Sequence, residues 1–147
     1  MPSVMDSYIE NRAHVQPTDT NPHHTAHGGT VVKWMDEIGA MSAMRHAGET
    51  CLTAHIDDLD FQRPIPMGDI CVVDGYVFAV GETSLRVRLQ AYREEPRTGE
   101  RERTVDSYFV FVAVDDEGKP TPVPELEVTS ERGRALREEA LDGTADS

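Results

Sequence analysis

Residues 28–48, GGTVVKWMDEIGAMSAMRHAG, restrict the fold more than any other part of this chain. Apolar residues at 31, 32, 34, 35, 38, 41 and 44 recur at helical spacing and cover most of the circumference, the pattern of a helix buried nearly all round. Gly48 is a C-terminal stop, and Arg45 and His46 sit in the last turn, where cations complement the helix dipole. A long helix cannot hide its whole surface on one flat sheet. A strongly curved sheet could wrap it, and a second copy of the chain could cover the remainder.

The flanking segments supply that sheet. Residues 7–15 alternate weakly and predict a first, edge strand. Residues 16–27 are a loop, with turn formers at Pro17, Asp19, Asn21 and Pro22. Four further strands are expected over about 51–61, 70–79, 83–93 and 103–114, joined by the turns PIPMGD, VGE, EEPRTGE and DDEGKP. The third of these alternates cleanly: Leu85, Val87, Leu89 and Ala91 on one face, Arg86, Arg88, Gln90 and Tyr92 on the other. The pattern is α+β, one domain over residues 1–128. Residues 129–147 follow a Pro-rich link and are expected to form a short helix and an acidic tail disordered over its last six residues.

The 147 residues suffice for one real core. Asp and Glu number 27 against 14 Lys and Arg, a net charge of −13, which argues against nucleic acid as a partner. Only Lys33 and Lys119 are lysines; such an acidic, lysine-poor surface resembles that of salt-loving organisms, in which about 1 M salt screens self-repulsion. No apolar run spans a membrane and the N-terminus has no signal-peptide pattern, so a cytoplasmic location is expected. Cys51 and Cys71 lie in apolar strand contexts and are expected to be buried; a Cys51–His55 dyad is excluded because four strand residues span roughly 13 Å.

The chemistry concentrates in DTNPHHTAHGGTVVKWMDEIGA, residues 19–40. A glycine pair at a helix start admits close approach to backbone N–H groups that carry partial positive charge, a place to hold an oxyanion. Asp36 lies mid-helix among Val32, Met35, Gly39 and Ala40; a carboxylate among apolar neighbours is a candidate base or nucleophile. Glu37 pairs with Lys33 at i,i+4. Gly29 and Asp36 share a helix face but are roughly 10 Å apart along it. A carbonyl at one and a water at the other meet more readily if two antiparallel helices from two subunits face each other. His23, His24 and His27 complete no familiar metal spacing, and no metal is expected. His27 abuts the glycines and is placed to position substrate or to fill the turn.

HGGTVVKWMDEIGA followed by TAHIDDLDFQRPIPMGD resembles the hotdog-fold acyl-CoA thioesterases, in particular the bacterial YciA-type enzymes and the cytosolic brain-type hydrolases. The shared features are Asp19-Thr20-Asn21, Gly28-Gly29, Asp36, the run from Phe61 to Asp69, and VAVDDEGKPTPVP near the end. The resemblance covers about residues 7–124. It implies a central helix wrapped by a curved antiparallel sheet of five to six strands, dimers with two shared sites and a homohexamer built from three dimers. It implies hydrolysis of acyl-CoA to fatty acid and CoA, with no cofactor beyond the CoA of the substrate. Asp36 would be base or nucleophile, Gly28 and Gly29 would polarise the carbonyl, and Asn21 would orient water or substrate. Thr25 stands where the family often has Asn or Asp ahead of the glycines. Thr83 and Ser84 resemble the pantetheine-contacting turn. Arg63, Arg86, Arg88, Arg101 and Arg103 are candidates for the CoA phosphates, because arginine forks suit phosphate.

Two rivals remain at this point. DTNPHH also resembles the (R)-specific enoyl-CoA hydratases of the same fold, with Asp19 and His24 as a water-activating pair. A non-catalytic acyl-CoA sensor is the other, from a different class of function.

Overall fold

The computed structural model describes residues 1–145. Strand β1 (Ile9–His14) is followed by helix α1 (Gly28–Ala47), then by strands β2 (Thr50–Phe61), β3 (Ile70–Val80), β4 (Ser84–Glu94) and β5 (Arg101–Val114), and by helix α2 (Glu131–Ala145). The strands form one antiparallel sheet in the order β1-β3-β4-β5-β2, so β1 and β2 are its two edges. The five expected strands are all present, and β1 is the edge strand its weak alternation predicts. Among the described residues, no helix is long and apolar enough to cross a membrane.

α1 lies along the inner face of the sheet. Leu85, Val87, Leu89 and Ala91 of β4 are buried there with Val105, Phe109, Phe111 and Ala113 of β5, against Val31, Met35, Ile38 and Ala43 of the helix. Close approach is built into Gly39: a Cβ there would lie 2.8 Å from side-chain carbons of Leu89 and Phe111. Gly48 ends the helix in the left-handed region at φ 68°, and its N–H caps the Met44 carbonyl. Cys51 and Cys71 are buried, free thiols, as expected; burial pushes them up to about 11 and about 12 respectively.

Two expectations need correction. α1 is not buried all round within one chain: Met41 and Met44 are exposed, because the sheet covers only one side of the helix. The C-terminal segment is also more ordered than its composition implies. α2 runs to Ala145, through most of the stretch expected to be disordered; Asp146 and Ser147 lie outside the described residues. α2 docks on the outer face of the sheet, where Val4, Tyr76, Phe78, Tyr108 and Ala140 form a second apolar cluster, and the Tyr76 hydroxyl donates to the Leu136 carbonyl at 2.8 Å. Gly143 is required for this fit, since a Cβ there would collide with the Tyr108 hydroxyl.

β2 is the least covered strand. Its ladder to β5 shifts register between Thr53 and His55 and again between Asp57 and Asp60, where Asp58 has φ 49°. Its other edge is unpaired among the described residues, and Leu52, Ile56 and Phe61 are exposed on it. An open edge that carries apolar side chains is a surface for another strand.

Candidate active site

The loop before α1 is held by its own side chains. Asp19 accepts the Gln16 N–H at 2.9 Å on its carboxylate, and its carbonyl accepts the His27 N–H at 2.8 Å. The Asn21 carboxamide oxygen accepts from His23 N–H at 2.9 Å and Thr25 N–H at 3.3 Å, and its Nδ2 donates to Thr25 Oγ1 at 3.0 Å. Asn21 and Thr25 thus fold the turn around each other. The turn is pinned to the segment after β2 by Ala26 N–H to the Ile65 carbonyl at 2.7 Å and Met67 N–H to the His24 carbonyl at 2.9 Å.

This framework delivers the chain to the helix start. His27 is the N-cap of α1, and its Nδ1 accepts the Gly29 N–H at 3.2 Å. The Phe61 ring closes over Gly28, 3.5 Å from where a Cβ would stand. The glycine pair, the His27 ring and the end of β2 therefore form one corner, with Arg63 two residues beyond Phe61. Arg63 is solvent-exposed and reaches Glu102 at 3.2 Å.

Two helical turns along, half-buried Asp36 faces β2. Thr53 Oγ1 donates to Asp36 Oδ1 at 2.5 Å. Oδ2 takes no hydrogen bond among the described residues, so one oxygen is anchored and the other is available to a water. The neighbour that defines this carboxylate is a hydroxyl, where the sequence alone shows only apolar helix positions. Glu37 pairs with Lys33 at 3.9 Å, the surface pair expected of it.

The remaining predicted residues are dispersed. Arg86, Arg88 and Arg103 point to the outer face of the sheet, opposite α1. Arg88 is 5% exposed, donates to Asp106 at 2.9 Å and lies over the Tyr108 ring. Arg86 stacks on Phe78, and Arg103 approaches Asp106 at 3.7 Å. Arg101 bridges Glu10 and Glu94, and its hydrogen bond is the main reason Glu10 is held below the usual carboxylate range. Thr83 and Ser84 lie at the opposite end of the sheet from the glycine turn, level with the start of β2, because Ser84 pairs with Val112 and Val112 with Leu52. Asp19 and His24 share no hydrogen bond, the Asp19 carboxylate being engaged by Gln16. Among the described residues no group of three or more His, Cys, Asp or Glu could hold a metal ion.

Residues 23–100, just over half the chain, match the Thioesterase superfamily model. The chain belongs to the thioesterase superfamily. It is 37% identical over 136 residues to the acyl-CoA thioester hydrolase YkhA of Bacillus subtilis, covering 92% of this chain and 79% of that one. Its fold, the hotdog, matches an acyl-CoA hydrolase of Staphylococcus aureus solved with butyryl-CoA, CoA and CoA disulfide, at a TM-score of 0.89 and 36% identity over 99% of this chain and 89% of the other. A hexameric acyl-CoA thioesterase matches at a TM-score of 0.88 and 38% identity over 98% and 92%.

The S. aureus hydrolase has also been solved with alanine in place of an asparagine, an aspartate or a threonine. Those three positions are spaced 15 and 17 residues apart, as are Asn21, Asp36 and Thr53 in this thioesterase. Thr53 is a candidate site residue that sequence reasoning did not single out, although it opens the run TAHIDDLDFQRPIPMGD. The packing of β2 on α1 is what brings it to Asp36.

Proposed function

We propose that this thioesterase hydrolyses acyl-CoA to a carboxylic acid and free CoA at a site shared by two copies of the chain. The observation that carries the reading is the Thr53–Asp36 pair on the same helix face as the glycine-led start of α1. Thr53 fixes one Asp36 oxygen; the other takes a proton from water as the water oxygen attacks the thioester carbonyl carbon. The carbonyl oxygen, gaining negative charge, accepts the Gly29 N–H at the positive end of the α1 dipole. The C–S bond then breaks and the CoA thiolate recovers the proton from Asp36.

Asp36 and Gly29 of one chain are about 10 Å apart along the helix, too far to act on one carbonyl. Pairing of two copies along the free edge of β2 would close this gap. If two copies pair antiparallel along β2, centred near Ile56, the Thr53 and Asp36 region of one copy comes level with Leu59 and Phe61 of the other, beside its glycine turn. The same pairing brings the Thr83–Ser84 turn of one copy toward the corner of the other, where it would contact the pantetheine arm. His27 and Thr25 border that corner. Arg63 is the arginine suited to the CoA phosphates there, since Arg86, Arg88 and Arg103 face the other way. Asn21 acts by shaping the loop. The assembly is a dimer at least and, in keeping with a relative that is hexameric, a hexamer built here from three such dimers; the location is cytoplasmic. Water and the thioester are the only reactants, so no cofactor enters this reading.

Thiol release from a panel of saturated acyl-CoAs tests it, alongside loss of enoyl absorbance from crotonyl-CoA. Asp36→Ala is expected to lower thioester turnover at least about a hundredfold while CoA binding persists. Unchanged turnover in that variant removes Asp36 from the mechanism. Absorbance loss without thiol release would favour the hydratase, and binding without either reaction the sensor.

A further inference from the structure

The N–H of Gly29 is not free in this structure. It is capped by its own neighbour, His27 Nδ1, at 3.2 Å. A helix N-terminus leaves its first amides without intrahelical partners, and the side chains that usually satisfy them are Ser, Thr, Asp and Asn, through an oxygen. His27 does the same work with a ring nitrogen, in a contact that is exposed to solvent. Among the described residues, His27 is otherwise held through its backbone: its N–H is bound by the Asp19 carbonyl, and its own carbonyl accepts Thr30 N–H at 2.9 Å and Val31 N–H at 3.2 Å. The ring can therefore turn away without disturbing the start of α1.

We propose that His27 is a positioning residue for the thioesterase reaction, a displaceable cap that holds the Gly29 N–H in the empty enzyme and yields it to the thioester oxygen on binding. This rests on the reading above, in which that N–H polarises the carbonyl. Nδ1 and the carbonyl oxygen are alternative acceptors for one hydrogen, so every productive complex must break the cap first. The strength of the cap is then set against substrate binding. A neutral hydrogen bond in an exposed setting is worth about a fivefold change in an equilibrium. A cap of carboxylate or carboxamide would hold the amide more tightly, and a carboxylate would also oppose the charge that develops on the oxygen. Histidine keeps the amide satisfied and aligned, yet is weak enough to leave.

The expected signature is an inverse relation between cap strength and apparent affinity. His27→Ala should lower KM for butyryl-CoA about fivefold, with the change in KM larger than any change in kcat, while Tm falls through loss of the cap. His27→Asp should raise Tm and lower kcat/KM about tenfold or more. A purely structural cap would make stability and activity fall together in His27→Ala and recover together in His27→Asp, and that result would overturn the proposal. The wild-type enzyme gives a test independent of whether the variants fold. The Gly29 amide and the His27 ring nitrogens are followed by 15N NMR while S-(2-oxopentyl)-CoA, which keeps the carbonyl but cannot be hydrolysed, is added. Both sites should shift together, Nδ1 losing its hydrogen bond as the amide changes acceptor; a Gly29 shift with the His27 ring unmoved sinks the idea. Asp36→Ala is assayed in parallel. If that variant keeps full turnover, the parent mechanism fails, whereas a normal loss there with an unaltered KM in His27→Ala refutes the cap alone.

Discussion

Asp74 offers the sharpest test of the electrostatics of this fold. It lies on β3, on the outer face of the sheet, 9% exposed, with Glu10 opposite it on β1 and Gln90 opposite it on β4. Oδ2 accepts a long bond from the Tyr8 hydroxyl at 3.3 Å, and Oδ1 has no partner among the described residues. Burial pushes the carboxyl up from 3.8 to about 6; the nearby Glu10 charge adds to this, against the Tyr8 hydrogen bond and the charges of Arg101 and Arg88. The sign follows directly. The folded state binds the Asp74 proton more tightly than the unfolded chain, so the contribution to stability is complete below 3.8 and is lost as pH rises to about 6. A shift of this size corresponds to about 3 kcal/mol at full ionisation, of which about 2 kcal/mol falls between pH 4.5 and 7.5. Asp74→Asn keeps the shape and an acceptor for Tyr8 but cannot ionise. Its stability relative to wild type should grow by about 2 kcal/mol over that interval, a relative rise in Tm of about 4–8 °C for a chain of this length. Thermal unfolding of both proteins at equal concentration, at pH 4.5 and 7.5, measures it; equal concentration matters because assembly contributes to Tm. A difference in Tm that stays constant across the two pH values, or narrows at pH 7.5, refutes the reasoning.

Thr53→Ala removes the 2.5 Å bond that orients Asp36, and kcat for acyl-CoA hydrolysis should fall about tenfold with KM changed less; an unchanged kcat would detach Thr53 from the site. Ile56→Asp places like charges opposite each other where two β2 edges are proposed to pair. Light scattering should then give a smaller assembly, and thiol release should fall with it; full activity in a monomer would break the shared-site argument.

How much of this was legible in the sequence depended on which face of each element carried the information. The inner face of β4 was legible because Leu85, Val87, Leu89 and Ala91 alternate, and all four are buried. The outer face was legible as polar, but its use was not. Arg88 has the chemistry to bind phosphate, and nothing local in the sequence shows that Asp106, a strand away, claims it, or that α2 covers the neighbouring Tyr108 cluster. Such facts depend on strand order and on a helix arriving from 40 residues further along. For the same reason α2 was underestimated: TSERGRALREEAL is weakly amphipathic in isolation, and its order comes from docking on Tyr76 and Phe78 rather than from helix propensity.

The candidate site divides along the same line. The glycine pair and Asp36 stand seven residues apart on one helix, so helical periodicity alone puts them on one face and sets their separation. Thr53 lies seventeen residues past Asp36, across the end of α1 and the first residues of β2, and no periodicity links them. The N-cap bond of His27 is local, two residues in length, yet histidine is an unusual residue for that position and it is the fold that reveals it. What both levels share is the mismatch between a 10 Å separation and a reaction that needs contact. The sequence states that mismatch through the spacing of Gly29 and Asp36, and the structure answers with an apolar, unpaired β2 edge whose two ends hold the glycine corner and the Thr53–Asp36 pair. An edge that carries the two halves of the proposed site at its two ends unites them by meeting an antiparallel copy of itself, and on that proposal assembly is a condition of chemistry in this chain.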